Sequence, residues 1–429
     1  RETNERLRQQ QDGLEAAVIQ AQERLTAEYT RREDAYAAQR RQAVARAPRS
    51  IDEPLPSLTR RSRLCLNGEW EISADRQEWS SFLLPQAMCD LYFRVGQYPV
   101  RQLDPKNRYG KVEPLPGWDD LDINMLRFQR KAWYRRHFVA DGASQATFVC
   151  ENIDGQVKVY VNGEYCGEYL GSIGIVEIPL KNVRAGENLI ELDFDSYFVT
   201  RFYGLRGDIF IDFTAPARVQ DSWIKTSWRN AELSVQTELA NSGSEGVTGT
   251  LRQVVVDGQR VRLRLPEQAV AIPAGGVITV SNATLWADPV CWGIGGDYGT
   301  PQVYELVSEL VVAGEVVDRH SQTFGFREFW IHATDFYLNG RRIILQGDVG
   351  HAPWGISKLG DVFWPLYRLD GINILRLHDS DYWAPEIARQ ADRYGMLIYA
   401  QSYPRLHDDP SKRSNDPKNY VPLPDWPAT

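Results

Sequence analysis

The chain has 429 residues, 43% hydrophobic and 25% charged, an ordinary globular balance that excludes wholesale disorder. At roughly 100–200 residues per domain, this length implies two to four domains. A net charge of −8 argues against a general nucleic-acid binder, and no apolar run approaches the ~18 residues of a membrane span.

The five cysteines, Cys65, Cys89, Cys150, Cys166 and Cys291, show no C-x-x-C spacing. They read as buried small apolar residues rather than a disulfide framework or a zinc site. The 13 Trp, 20 Tyr and 15 Phe fill cores by default, but they also offer the flat faces that carbohydrate clefts use.

In chain order, residues 1–48 come first. They are rich in Arg, Glu, Gln and Ala, with no proline before Pro48, and predict one long helix or a helical hairpin. Leu7, Leu14, Val18, Ala21 and Leu25 form an a/d-like seam that fails at Glu28 and Arg32, and homo-oligomerisation through this helix is one expectation. Pro48, Pro54 and Pro56 mark residues 49–62 as a linker.

From Arg63 the period becomes two. Val157, Val159 and Val161 alternate with Gln156, Lys158 and Tyr160, and Asn67-Gly68, Asp154-Gly155 and Asn162-Gly163 mark tight turns. Residues 63–215 therefore predict an all-β unit of jelly-roll size. After Pro216, about seven short strands fit into 216–327, which suggests an immunoglobulin-like sandwich. Residues 328–429 begin with a hairpin around Asn339-Gly340. Strand and helix patterns then alternate, with strands ending near Leu377 and Tyr399 and a helix over 384–394. This is the pattern of parallel βα units, of which about three strands are written before a proline-rich tail.

Ligand-binding groups of parallel βα sheets gather at the carboxyl ends of the strands. Those ends carry Asp348, His351 and Trp354 after the first strand, Arg376, His378, Asp379 and Trp383 at the second, and Gln401 to Tyr403 after the third. Cationic, acidic and aromatic groups on one edge suit a polar ligand pocket with stacking faces. Each also has a plainer role: Asp348 and Asp379 as helix caps, Arg376 in an ion pair, the tryptophans in packing. No G-x-S-x-G, Walker or H-E-x-x-H motif is present, and Gly293–Gly299 reads as a loop. Nothing calls for a metal or cofactor.

The local strings, in order, resemble glycoside hydrolase family 2, the β-galactosidase, β-glucuronidase and β-mannosidase group. Leu66-Asn67-Gly68-Glu69-Trp70 resembles its L-N-G-x-W, and Trp133 to Arg136 its W-Y-R-R. Val159 to Gly163, Gly167 and Gly186-Glu187-Asn188 resemble its V-x-V-N-G…G…G-x-N core. Phe324 to Glu328, Phe336 to Gly340, Gly371-Ile372-Asn373 with Arg376 and His378, and Asp392 with Gly395 complete the set.

The resemblance implies a sugar-binding jelly roll, an immunoglobulin-like domain and the start of a (β/α)₈ barrel. It implies hydrolysis of β-linked glycosides with an oligosaccharide or polysaccharide substrate, with Arg376, His378, Asp348 and His351 orienting sugar hydroxyls. Analogy with exported polysaccharide-degrading relatives favours a secreted or periplasmic location.

The chain departs from the family where Leu377 alone separates Arg376 from His378, where Gly347 to Ala352 keeps only Gly and His of G-x-N-R-H-E, and at Gln401. The family's acid/base and nucleophile glutamates come from the fourth and seventh barrel strands. Retention needs two such carboxyl groups roughly 5–5.5 Å apart. Neither is assigned in this chain, which by itself is expected to be inactive. The rival expectation is a non-catalytic carbohydrate-binding or assembly protein with a degenerate barrel.

Overall fold

The structure, a computed structural model, describes residues 2–55, 61–73, 76–87, 131–141, 145–170, 173–195, 204–350, 353–377 and 385–400. It is mostly β, with few helices. No described helix is long and apolar enough to cross a membrane.

The first 43 described residues form one helix, α1 (Glu2–Val44), not a hairpin. Residues 10 to 27 are exposed throughout, and contact with the rest of the chain begins near Glu28. There Arg32 pairs with both Glu28 and Asp335. Of the charges that interrupt the sequence seam, Arg32 is the one that meets the chain's own body.

The segment expected as a linker is partly docked. Glu53–Pro54 pairs antiparallel with Arg260–Arg264, and Ile51 N–H donates to the Arg262 carbonyl at 2.9 Å. Asp52 pairs with Arg260 and Arg262 and Glu53 with Arg264, so two carboxylates of the leader engage a row of three arginines on one strand. Leu55 N–H then donates to the Gln259 carbonyl at 2.8 Å.

The first β unit packs two antiparallel six-stranded sheets face to face. One runs Ser80–Leu84, Gly68–Ser73, Lys131–Ala140, Gly186–Asp195, Gln156–Val161, Glu164–Tyr169. The other centres on Gln145–Asp154, flanked by Ile209–Thr214 and Ile173–Pro179. Alternation works as the sequence implies: Val157, Val159 and Val161 are buried beside Phe148, Ile190, Leu192 and Ile211, whereas Lys158 is exposed.

The family-like strings act here as turn fasteners. Asn67 joins its turn to the far strand, donating to Asp208 Oδ1 and accepting from Ile209 N–H, both at 2.9 Å. Asn162, at φ 49°, donates to Asn188 Oδ1 at 2.9 Å and accepts from Leu189 N–H at 3.0 Å, so the N-G and G-x-N strings bond to each other.

The second β unit has eight strands between Ala217 and Phe324, in a sheet carrying Val247–Asp257 and Tyr304–Val312 and in a three-stranded sheet of Ala217–Ser227, Glu232–Asn241 and Val277–Leu285. Leu233, Val235, Leu263, Trp286, Leu306 and Phe326 fill its core. The leader strand Glu53–Pro54 joins the larger sheet.

A three-stranded antiparallel sheet (Phe329–His332, Asp335–Leu338, Arg341–Ile343) leads into a parallel one. The parallel strands are Gly347–Gly350, Ile374–Leu377 and Leu397–Ala400, connected by α2 (Pro353–Leu369) and α3 (Pro385–Tyr394). Trp364, Leu375, Ile387, Ala391 and Met396 form the core between sheet and helices.

Four of the cysteines lie in described residues, and all four are free. Cys150 and Cys166 are buried as expected, but Cys65 is exposed on an edge strand, a correction to the all-buried reading. Burial pushes the Cys150 thiol up to about 12, which leaves it a packing group rather than a nucleophile. Cys89 lies outside the described residues.

Candidate functional site

The site suggested by the sequence is the carboxyl edge of the parallel sheet. His351, His378, Asp379 and Trp383 lie outside the described residues. Trp354 sits in the first turn of α2. The side chains of Asp348 and Arg376 are described, and both take part in polar or electrostatic interactions.

The register separates these two. Asp348 pairs with Leu375, which pairs with Ile398; Val349 pairs with Arg376, which pairs with Tyr399. Residues paired across a sheet share a face, and neighbours along a strand alternate. Leu375 is fully buried against α2 and α3, so Asp348 belongs to the helix-facing row. Its charge reaches Tyr367 of α2, whose hydroxyl is held above its usual range first by burial and then by Asp348. Arg376, half-buried, lies on the opposite face with Tyr399, which is 57% exposed. The edge thus presents a guanidinium and an aromatic ring together, and Asp348 on the other side.

The mounting of this edge was not foreseen. Trp292 Nε1–H donates to the Asp392 carbonyl at 2.7 Å, and the Arg327 guanidinium lies 4.4 Å from the Trp292 ring centre while donating to Asp392 Oδ1 at 3.2 Å. Burial raises the Asp392 carboxyl, and Arg327 opposes that rise. Arg368 of α2 donates to the carbonyls of Tyr394 and Ile294, both at 2.7 Å. Asn339 donates to the carbonyls of Trp292 and Tyr298 and accepts from Glu328 N–H at 2.9 Å.

The Gly293–Gly299 loop is therefore the cradle that holds α2 and α3. Its glycines permit close approach: a Cβ on Gly293 would lie 2.1 Å from the Tyr298 carbonyl oxygen, and one on Gly299 2.4 Å from that of Cys291. The glycine density was the available signal. Arg389 of α3 also reaches the first β unit, pairing with Glu151 at 2.9 Å.

Residues 217–327 match the family model described as glycosyl hydrolases family 2. A putative beta-glucuronidase of Formosa agariphila is 27% identical over 315 residues, covering 66% of this chain and 36% of that protein. A beta-galactosidase of Priestia megaterium is 25% identical over 303 residues, covering 64% of this chain and 29% of that protein. The solved structure of a GH2 beta-galacturonidase from Eisenbergiella tayi, bound to galacturonate, has a similar fold at TM-score 0.61 and 15% identity, over 81% of this chain and 59% of that one. The chain spans 25% to 36% of the length of the first curated relatives it matches.

Proposed function

The chain is a relative of the glycosyl hydrolases of family 2, and on that premise we propose that it is the N-terminal portion of an enzyme hydrolysing β-linked glycosides. In this reading residues 63–215 are a jelly-roll sugar-binding domain and residues 216–327 an immunoglobulin-like domain. Residues 328–429 begin a (β/α)₈ barrel. The acid/base and nucleophile carboxylates come from further βα units, in a retaining geometry.

The observation that carries this reading is the paired placement of Arg376 and Tyr399 on the face of the parallel sheet turned away from α2 and α3. A barrel wraps helices around the outside and collects ligand-binding groups at the strand ends. An arginine and an aromatic ring there can hydrogen-bond and stack against a sugar ring. The exposed row Val362, Leu366 and Leu369 on α2 adds support, because such an i, i+4, i+7 stripe suits a neighbouring barrel helix. Arg376 with His378 would orient sugar hydroxyls, with His351, Asp379, Trp354 and Trp383 around them. Asp348 is better assigned to supporting α2.

The test is turnover of a panel of aryl β-glycosides by the full-length protein and by this chain. Hydrolysis by the former and none by the latter is expected. No hydrolysis by either, with retained oligosaccharide binding, would favour a carbohydrate-binding protein with a degenerate barrel.

A further inference from the structure

Trp223 stands out of the three-stranded sheet of the second β unit at 76% exposure, whereas every other tryptophan with a described side chain is buried or half-buried. It lies on the edge strand Ala217–Ser227, next to Ile224, which turns to the core. Across the strands Trp223 is in register with Gln236, and Gln236 with Ser281. The row on one side is Asp221, Glu238 and Thr279, and on the other Lys225, Ser234 and Ala283. All of these are exposed except Ser234, which is half-buried and donates to Glu232 at 2.7 Å. The indole thus rises at the edge of a floor of small or neutral side chains, with carboxylates toward one end and an ammonium toward the other.

We propose that this face binds a neutral, β-1,4-linked oligosaccharide. The choice of a sugar rests on the glycosidase reading above; the choice of this face and of a neutral chain rests on its chemistry. A pyranose ring offers an apolar C–H face to an indole and hydroxyls that both donate and accept. The Gln236 amide does both, Asp221 and Glu238 accept, and Lys225 donates. Charge decides against ionic ligands, because a polyanion meets Asp221 and Glu238 and a polycation meets Lys225. Size and polarity decide against a protein. With strands about 4.8 Å apart and a rise of about 3.4 Å per residue, the three rows measure about 10 by 14 Å. A stable protein interface covers about 800 Å² per partner around an apolar core. Here the cross-strand neighbours of Trp223 are polar, and the next exposed large apolar side chain on the sheet, Val277, lies two rows away on the far strand. A short flat platform of this kind suits an extended chain of equatorially linked rings.

Isothermal titration of the chain with cellohexaose and with β-1,4-mannohexaose tests this, with hexagalacturonate as the acidic contrast. A neutral hexamer should bind, and Trp223→Ala should weaken it about tenfold. Trp223→Phe, which restores a ring, should recover most of that loss, and Gln236→Ala should weaken binding several-fold. Both positions are exposed, so the melting temperature should be the same in all three variants. Absence of binding by both neutral hexamers, or binding that Trp223→Ala leaves unchanged, overturns the proposal. Hexagalacturonate bound as tightly as the neutral chains overturns the neutral-sugar assignment. The glycosidase reading fails separately, if the full-length protein hydrolyses no aryl β-glycoside while Trp223-dependent binding persists.

Discussion

Arg327 and Asp392 are 65 residues apart in the chain and meet at 3.2 Å, one from the end of the second β unit and the other from α3. Each belongs to a different family-like string, F-G-F-R-x and D-x-x-G. Their contact ties the two strings together: the guanidinium lies over Trp292, whose indole N–H donates to the Asp392 carbonyl. The parallel sheet is thereby oriented by the preceding sandwich, and through it the edge that carries Arg376.

Arg327→Ala should leave a partly buried carboxylate without its cation and lower stability by about 1–3 kcal/mol. Asp392→Asn, which keeps a hydrogen-bond acceptor and removes the charge, should cost less. Urea unfolding followed by tryptophan fluorescence measures both. Equal losses for the two variants would show that the ion pair is not what holds the junction.

Arg376 and Asp348 should separate in function because they lie on opposite faces of one sheet. In the full-length protein, Arg376→Ala should reduce kcat/KM by about 10–100-fold with little change in melting temperature, as expected for loss of a charged hydrogen bond to substrate. Asp348→Asn should leave KM unchanged and alter the titration of Tyr367. A rise in KM for Asp348→Asn alone would reverse the assignment.

His320 gives the second β unit a pH dependence. Burial lowers its pKa below 6.5, with Arg61 adding to the fall and Arg63 contributing less; Asp221 and Asp318 pull the other way. The unfolded chain therefore binds the proton more readily than the folded one. Stability should rise as the pH climbs through the histidine's folded pKa toward 6.5, and fall on acidification through the same window. His320→Gln should flatten the thermal-melting profile across that window. An unchanged slope would assign the pH dependence to other groups.

Gly340→Ala tests the corner between the second β unit and the antiparallel sheet. Gly340 has φ 86°, and a Cβ there would lie 2.4 Å from the Trp228 ring, against which Arg40 of α1 stacks at 4.8 Å. Backbone strain and overpacking together should cost about 2–4 kcal/mol. Calorimetry should show a lower melting temperature, and limited proteolysis should show earlier release of α1. A loss under about 0.5 kcal/mol would mean that Trp228 yields freely.

Much was legible in the sequence, for local reasons. Two-residue alternation named the strands around Val157–Val161 and Ile190–Phe194, because a half-buried strand must alternate. Asn67-Gly68 and Asn162-Gly163 announced turns through their conformational needs, and the long polar leader announced a helix. The strand ends near Arg376 could be ordered along the chain, and with them the candidate edge.

Only the tertiary structure decided which groups face which. Asp348 and Arg376 appear as neighbours on one edge until the register turns them to opposite faces, since a one-residue offset reverses a strand's sides. The leader's docking on Arg260, Arg262 and Arg264, and the meeting of Arg327 with Asp392, join residues about 65 to 210 positions apart. Periodicity carries no record of such pairings. It reports whether a residue is covered, and the packing of distant segments determines by what.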